Sequence, residues 1–189
     1  MTKARTLADF DASTALTGNI NLATQVTGLL PLANGGTGAT SVPAGATNAP
    51  AFDVKLSSNQ NIGNATPATV AFDNEIVDTG TAFDTSTYKF TPQTAGNYFI
   101  TFMLYAYPST SGATDLGKIQ AGIRKNGSAL STVTNDYGGN DIAKGGVTTS
   151  QIIALNGTTD YIDFEAEIAV NSGSGMVSNN SRVSGYKLA

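Results

Sequence analysis

Two Asn-Gly pairs constrain this chain more than any other feature. Asn126-Gly127 lies in "KIQAGIRKNGSALSTV" between two strand-like halves. Asn-Gly is the strongest short-range hairpin signal, because both central residues of a type I′ turn need φ > 0. Asn156-Gly157 opens "NGTT", which lies between "VTTSQIIAL" and "DYIDFEAEIAV" and predicts a second hairpin. The run "TYKFTPQTAGNYFITFMLYAY" is rich in aromatic and β-branched residues, with "PQTAG" as a turn in its middle. "SRVSGYKLA" reads as a short last strand. No window has the apolar spacing of a useful amphipathic helix. Short strands joined by Gly- and Asn-rich turns predict an all-β sandwich or barrel from Asn48 onward.

Charge divides the chain. Lys3, Arg5, Asp9 and Asp11 come early, and no charged residue follows from Ala12 to Phe52. This run carries Leu16, Ile20, Leu22, Val26, Leu29, Leu30 and Leu32, which a solvated linker would lack. One copy cannot bury these side chains on itself; several copies wound together can. In "LPLANGGTGAT" (Leu30 to Thr40), Gly35, Gly36 and Gly38 permit close backbone approach. A charge there would be buried beside its own copies at high cost. The expected organisation is an extended arm over residues 1–48 and a β domain over residues 49–189.

Composition removes several function classes. The chain has 189 residues, enough for one domain of about 100–150 residues plus an extension. Charged residues make up 13%, about half the common share of roughly 25%, so Thr, Ser, Asn and Gly must cover much of the surface. The net charge of −4 argues against nucleic acid or an anionic membrane as the main partner. No apolar run approaches the roughly 20 residues of a membrane span, so no insertion is expected. The opening "MTKARTLADFDAST" lacks the apolar core of a secretory signal. With no Cys and no His, disulfides, Ser-His-Asp and Cys-His catalysis and His-based zinc sites are all excluded.

The region Pro50 to Ala189 resembles the jelly-roll domain shared by the complement globular head and tumour necrosis factor, in the version found on bacteriophage fibres. The residues that carry the likeness are "PAFDVKLSSNQ", "TVAFDNEIVDTGTAFDTSTYKFTPQTAGNYFITF", "IRKNGSAL" and "SRVSGYKLA". Phe90, Thr91, Pro92, Gly96, Tyr98 and Phe99 match the motif that leads into that family's central strand. Ser184, Gly185 and Tyr186 match its last strand, with Val183 where an aromatic is usual. "NLATQVTGLLPLANGGTGAT" is similar to a segment of phage tail-fibre proteins, and "ARTLADF" resembles the start of some phage structural proteins. The resemblance implies an antiparallel jelly-roll sandwich that forms homotrimers.

Only carboxylates remain as catalysts. Asp163, Glu165 and Glu167 in "YIDFEAEI" fall on one face of a strand, with Ile162, Phe164, Ala166 and Ile168 on the other. Neighbours on such a face are about 7 Å apart, a spacing within reach of a glycosidase carboxylate pair. The plainer expectation is a solvated face paired with Lys118, Arg124 or Lys125 across the sheet. The loop "NDYGGND" (Asn135 to Asp141) offers oxygens to a hard cation but lacks EF-hand spacing, so no metal or cofactor is expected.

Binding suits the loops better. "YPSTSGATD", "TNDYGGNDIAKGG" and "NSGSGMVSNNS" are long and polar, and loops on a rigid scaffold carry binding disproportionately. Tyr107, Asp136, Tyr137, Asn140 and Asp141 are the candidate receptor contacts: aromatic faces for the apolar side of a sugar, and polar groups for its hydroxyls. The expected protein is a homotrimeric virion fibre. Its arm joins other virion structural proteins, and its knob adheres to a host cell-surface glycan or protein. The rivals are a non-binding capsid or tail decoration, a head fibre among them, and a capsule-degrading enzyme.

Overall fold

The computed structural model describes residues 49–138 and 142–188. The expected arm, residues 1–48, with its apolar residues and glycines, lies outside the described residues. None of the described residues is helical. They form β1 (Ala51–Lys55), β2 (Gln60–Ile62), β3 (Ala68–Thr69), β4 (Asn74–Asp78), β5 (Phe83–Asp84), β6 (Lys89–Phe90), β7 (Gly96–Pro108), β8 (Leu116–Lys125), β9 (Ser128–Asp136), β10 (Gly145–Leu155), β11 (Ile162–Val170), β12 (Gly175–Val177) and β13 (Arg182–Lys187).

Two antiparallel sheets face one another. In the first, β10 takes one edge of β7 along Gly96–Ala106. The other edge of β7 takes β13 and then β12, and β1, β4 and β2 lie outside these. In the second, β11 is central, with β8 and then β9 on one edge and β3 and β6 on the other. The pairing of first and last strands (β1 with β13) beside the long β7 gives the expected jelly roll.

The core is the inner face of both sheets. Tyr98, Ile100, Phe102, Leu104 and Ala106 alternate inward from β7 and are fully buried, as are Ile162, Phe164, Ala166 and Ile168 from β11. Phe164 joins the two layers. Its ring lies 5.5 Å from Phe102, 5.9 Å from Phe72 and 6.5 Å from Phe52. Phe52 in turn stacks on Phe90 at 4.2 Å and on Phe83 at 5.6 Å. Gly185 of β13 makes room for this cluster: a Cβ there would stand 2.8 Å from Phe52 Cε1 and 2.9 Å from the Phe99 carbonyl oxygen.

The two Asn-Gly pairs of the β domain behave differently. Asn126 (φ 52) and Gly127 (φ 78) both adopt positive φ, and β8 and β9 form the expected hairpin. Asn156-Gly157 does not make a hairpin: β10 pairs with β7 in the first sheet, and β11 pairs with β8 in the second. Here only Gly157 (φ 71) has positive φ, so the type I′ requirement fails. Instead Asn156 Oδ1 accepts N–H bonds from Thr158, Thr159 and Asp160, each at 3.0 Å. The chain thus turns across the sandwich. Asp160 anchors the crossing on the β8–β9 hairpin through Lys125 Nζ at 2.8 Å and Asn126 Nδ2 at 2.9 Å. Gly157 sits directly on the backbone of Thr94 and Ala95, where no Cβ would fit.

One edge is interrupted and repaired. β13 and β12 share the same side of β7, and "SNNS" bulges out between them. Ser181 is fully buried there. Its hydroxyl accepts from the Tyr105 N–H at 3.0 Å and donates to the Tyr105 carbonyl at 3.1 Å. A side chain thus does the work of a missing ladder residue.

Three outcomes follow from this packing. Gly185→Ala overfills the Phe52 contact and should lower stability by about 1–3 kcal/mol, read as a lower urea midpoint with an unchanged m-value. Phe164→Leu should cost a similar amount, about 1–2 kcal/mol, by the same measurement. The Lys125 ammonium, the Asn126 amide and the Asn156 N–H hold the Asp160 carboxyl below its ordinary value of 3.8. Its contribution to stability is therefore present above pH 3.8 and lost as the pH falls through the lower folded-state value. An NMR titration of the Asp160 carboxyl should show its midpoint below 3.8.

Candidate functional site

The two ends of the sandwich differ. At the base, Pro50 leads into β1, and its carbonyl accepts the Lys187 N–H at 3.1 Å. Leu188 N–H reaches the Asn97 carbonyl at 2.8 Å, so β1, the end of β13 and the start of β7 lie together. β7 then runs its 13 residues, about 40 Å at strand rise, to the distal end. Three loops meet there, as the long polar stretches of sequence suggested. Ser109 N–H bonds to the Ser174 carbonyl at 2.9 Å, Asn171 N–H to the Asp115 carbonyl at 3.1 Å, and Leu116 N–H to the Ile142 carbonyl at 3.1 Å.

These loops enclose a groove of about 440 Å³. Tyr107, Ser109–Ala113, Lys144 and Met176 line it. Tyr107 and Met176 are cross-strand neighbours on β7 and β12, which fixes the groove floor to the sheet. Lys144 Nζ lies 5.9 Å from the Tyr107 ring centroid, within cation–π reach. Ser109 Oγ accepts from Ser174 Oγ at 2.9 Å, and that bond ties the loop rim to the neighbouring loop.

The five sequence candidates do not all meet at this groove. Tyr107 lines it. Asp136 closes β9, and its Oδ1 accepts the Gly138 N–H at 2.9 Å, a local turn bond. Tyr137 packs against the core and lies over Gly145, and its N–H bonds to the Gly117 carbonyl at 2.8 Å. Asn140 and Asp141 lie outside the described residues. Lys144 was not singled out from the sequence, since "AKGG" gives a lone lysine no local signal. Its place emerges only when β10 pairs with β7.

The carboxylate row on β11 forms charge pairs. Arg124 of β8 grips Asp163 through Nη2 at 2.6 Å and Nε at 3.2 Å. Its Nη1 reaches Glu165 at 2.5 Å, and its Nη2 reaches the Thr69 hydroxyl at 2.8 Å. Lys118 pairs with Glu167 at 2.5 Å. Burial works against the Arg124 charge, but the hydrogen bonds and attraction of Asp163 and Glu165 outweigh it and raise the guanidinium above its ordinary value. The paired-face expectation holds for Lys118 and Arg124, while Lys125 turns to Asp160 instead. A carboxylate pair serving glycoside hydrolysis needs one acid and one base flanking open space. This row is filled by cations.

The C1q domain model matches residues 51–156. Among solved structures, the globular domain of zebrafish complement 1qA protein is similar at 15% identity, with a TM-score of 0.54, covering 74% of this chain and 98% of that one. Murine APRIL, in a crystal structure at pH 5.0, is similar at 9% identity, with a TM-score of 0.55, covering 73% of this chain and 98% of that one. Eiger TNF from S. frugiperda is similar at 12% identity, with a TM-score of 0.51, covering 74% and 90%. These likenesses carry the fold. No curated protein sequence matches the chain. The family match spans more than half of the sequence and takes in β1 to β10 of the sandwich, so the chain belongs to the C1q domain family.

Proposed function

We propose that this chain is a trimeric knob of a phage fibre, and that its distal loops adhere to the host cell surface. Domains of this family self-associate as trimers. The observation that carries the trimer here is the contrast between the outer faces of the two sheets. The outer face of the second sheet bears Lys118, Arg124, Asp163, Glu165 and Glu167 in ion pairs. The outer face of the first bears an apolar row. Ile152, Phe99 and Tyr186 are adjacent by register across β10, β7 and β13, with the Phe99 and Tyr186 rings 5.8 Å apart. Ile152 is 59% exposed and Met103 44%. Arg182 and Asp53 form an ion pair on this same face, beside Met103, so the apolar band runs along β10, β7 and the end of β13, and that band fits burial against further copies.

The virion assignment draws on the arm. Its uncharged run and the phage-fibre segment "NLATQVTGLLPLANGGTGAT" precede the base end, where β1 enters the first sheet. The arm then serves attachment and intertwines with its copies, and the distal groove faces outward, about 40 Å away along β7. A non-binding decoration would share the trimer but not need the groove. A capsule-degrading role finds no support in the neutralised Asp163–Glu165–Glu167 row, and the knob is assigned no enzymatic activity.

Light scattering on the full chain and on a fragment starting at Ala49 should give trimers in both cases, with the full chain at three times 19.3 kDa. Ile152→Asp should turn the fragment into a folded monomer, with unchanged far-ultraviolet circular dichroism. A trimer that survives this change would move the interface elsewhere, and monomers for both wild-type forms would remove the fibre reading. Host-capsule digests with wild-type and Glu165→Gln protein should alike release no sugar. Arg124→Met, which strands two carboxylates, should cost about 2–3 kcal/mol of stability.

A further inference from the structure

The groove at the distal end has a chemistry of its own. Lys144 supplies the charge of its lining. No carboxylate lies within ion-pairing distance of Lys144 among the described residues. Asp115, the acidic residue of the same loop, is absent from the lining, and its Oδ2 accepts the Ser172 N–H at 3.0 Å. In a chain of net charge −4, an ammonium with no ion-pair partner among the described residues, beside a tyrosine ring, is a local positive spot in a negative field. The rim adds the Thr110 and Ser111 hydroxyls, neither of which is engaged in a hydrogen bond among the described residues. The floor adds the apolar faces of Tyr107 and Met176.

We infer that this groove takes a carboxylate-bearing saccharide. The Lys144 ammonium meets the carboxylate, Tyr107 and Met176 cover the apolar face of the sugar ring, and Thr110 and Ser111 bond its hydroxyls. A volume of about 440 Å³ suits a small ligand rather than a protein surface. A neutral sugar would cover the ammonium without compensating its lost hydration, so the acidic form is favoured. The inference rests on the adhesion reading above and specifies its ligand.

The test uses the full-length chain and a panel of immobilised oligosaccharides. The panel carries hexuronic or sialic acids, each matched by its carboxyl-reduced counterpart. Wild-type protein should bind at least one acidic member, and bind its reduced counterpart about tenfold more weakly, the loss expected for one charge-assisted contact. Lys144→Gln should bind the two forms equally and remain a trimer by light scattering. Tyr107→Ala should weaken both forms together. Equal binding of acidic and reduced members by wild type, or binding of no member, overturns the inference. Adsorption of labelled protein to host cells separates the two readings. If adsorption persists and is lost in Tyr107→Ala while no saccharide preference is seen, adhesion stands with another ligand. If wild-type protein does not adsorb at all, the adhesion reading falls with it.

Discussion

The structure depends on one interlock, the insertion of Phe164 between Phe52, Phe72 and Phe102. These rings come from β1, the segment before β4, β7 and β11, which are far apart in sequence and divided between the two sheets. The layers of a sandwich share no backbone ladder, so side-chain packing does most to set their spacing, helped here at one edge by bonds such as Ser131 Oγ to Thr149 Oγ1 at 2.7 Å and Asn135 Nδ2 to the Gly146 carbonyl at 3.0 Å. With no cysteine, the chain has no disulfide to share this work. The aromatic cluster therefore fixes which face of every strand is inner. By alternation it also fixes which side chains are left outside. Gly185 shows how tightly that choice is made, because the last strand closes against Phe52 only with no side chain at that position.

The outer faces then acquire opposite characters. Along β11, an inward Phe164 forces Asp163 and Glu165 outward, where Arg124 collects both and reaches Thr69 of β3 as well. That clamp joins three strands on the outer face of the second sheet. Along β7, an inward row from Tyr98 to Ala106 forces Phe99, Met103, Tyr105 and Tyr107 outward. Nothing among the described residues covers these side chains completely. The same alternation that builds the core thus produces both a charged exterior and an apolar one, and supplies Tyr107 to the distal groove.

Much of this is legible in the residues. Strand alternation placed the carboxylates of "YIDFEAEI" on one face and named Lys118 and Arg124 as their partners, because period-two spacing and cross-strand charge are local facts. Asn126-Gly127 gave its hairpin for the same reason. Asn156-Gly157 misled, since a turn signal says that the chain reverses and not which sheet receives the next strand. That depends on Gly157 meeting the backbone of Thr94 and Ala95, and on Asp160 meeting Lys125, contacts over long sequence separations. Lys144 was silent for a related reason. Its neighbours Tyr107 and Thr110 come from one stretch and Met176 from another, and only the pairing of β7 with β10 and β12 brings all of them to Lys144.

The placement of the termini of the β domain turns these surfaces into a device with direction. β1 enters the first sheet between β13 and β4, beside the Tyr186–Phe99–Ile152 row rather than on the charged side. If that row meets its copies, the three β1 strands lie on the side of the sandwich that faces the contact. The distal groove is held at the other end of the longest strand, and its loops are tied to one another by backbone bonds rather than to the base. Substitutions in those loops leave the Phe164 interlock and the apolar row untouched. The distal surface can therefore change without loss of the core that holds it.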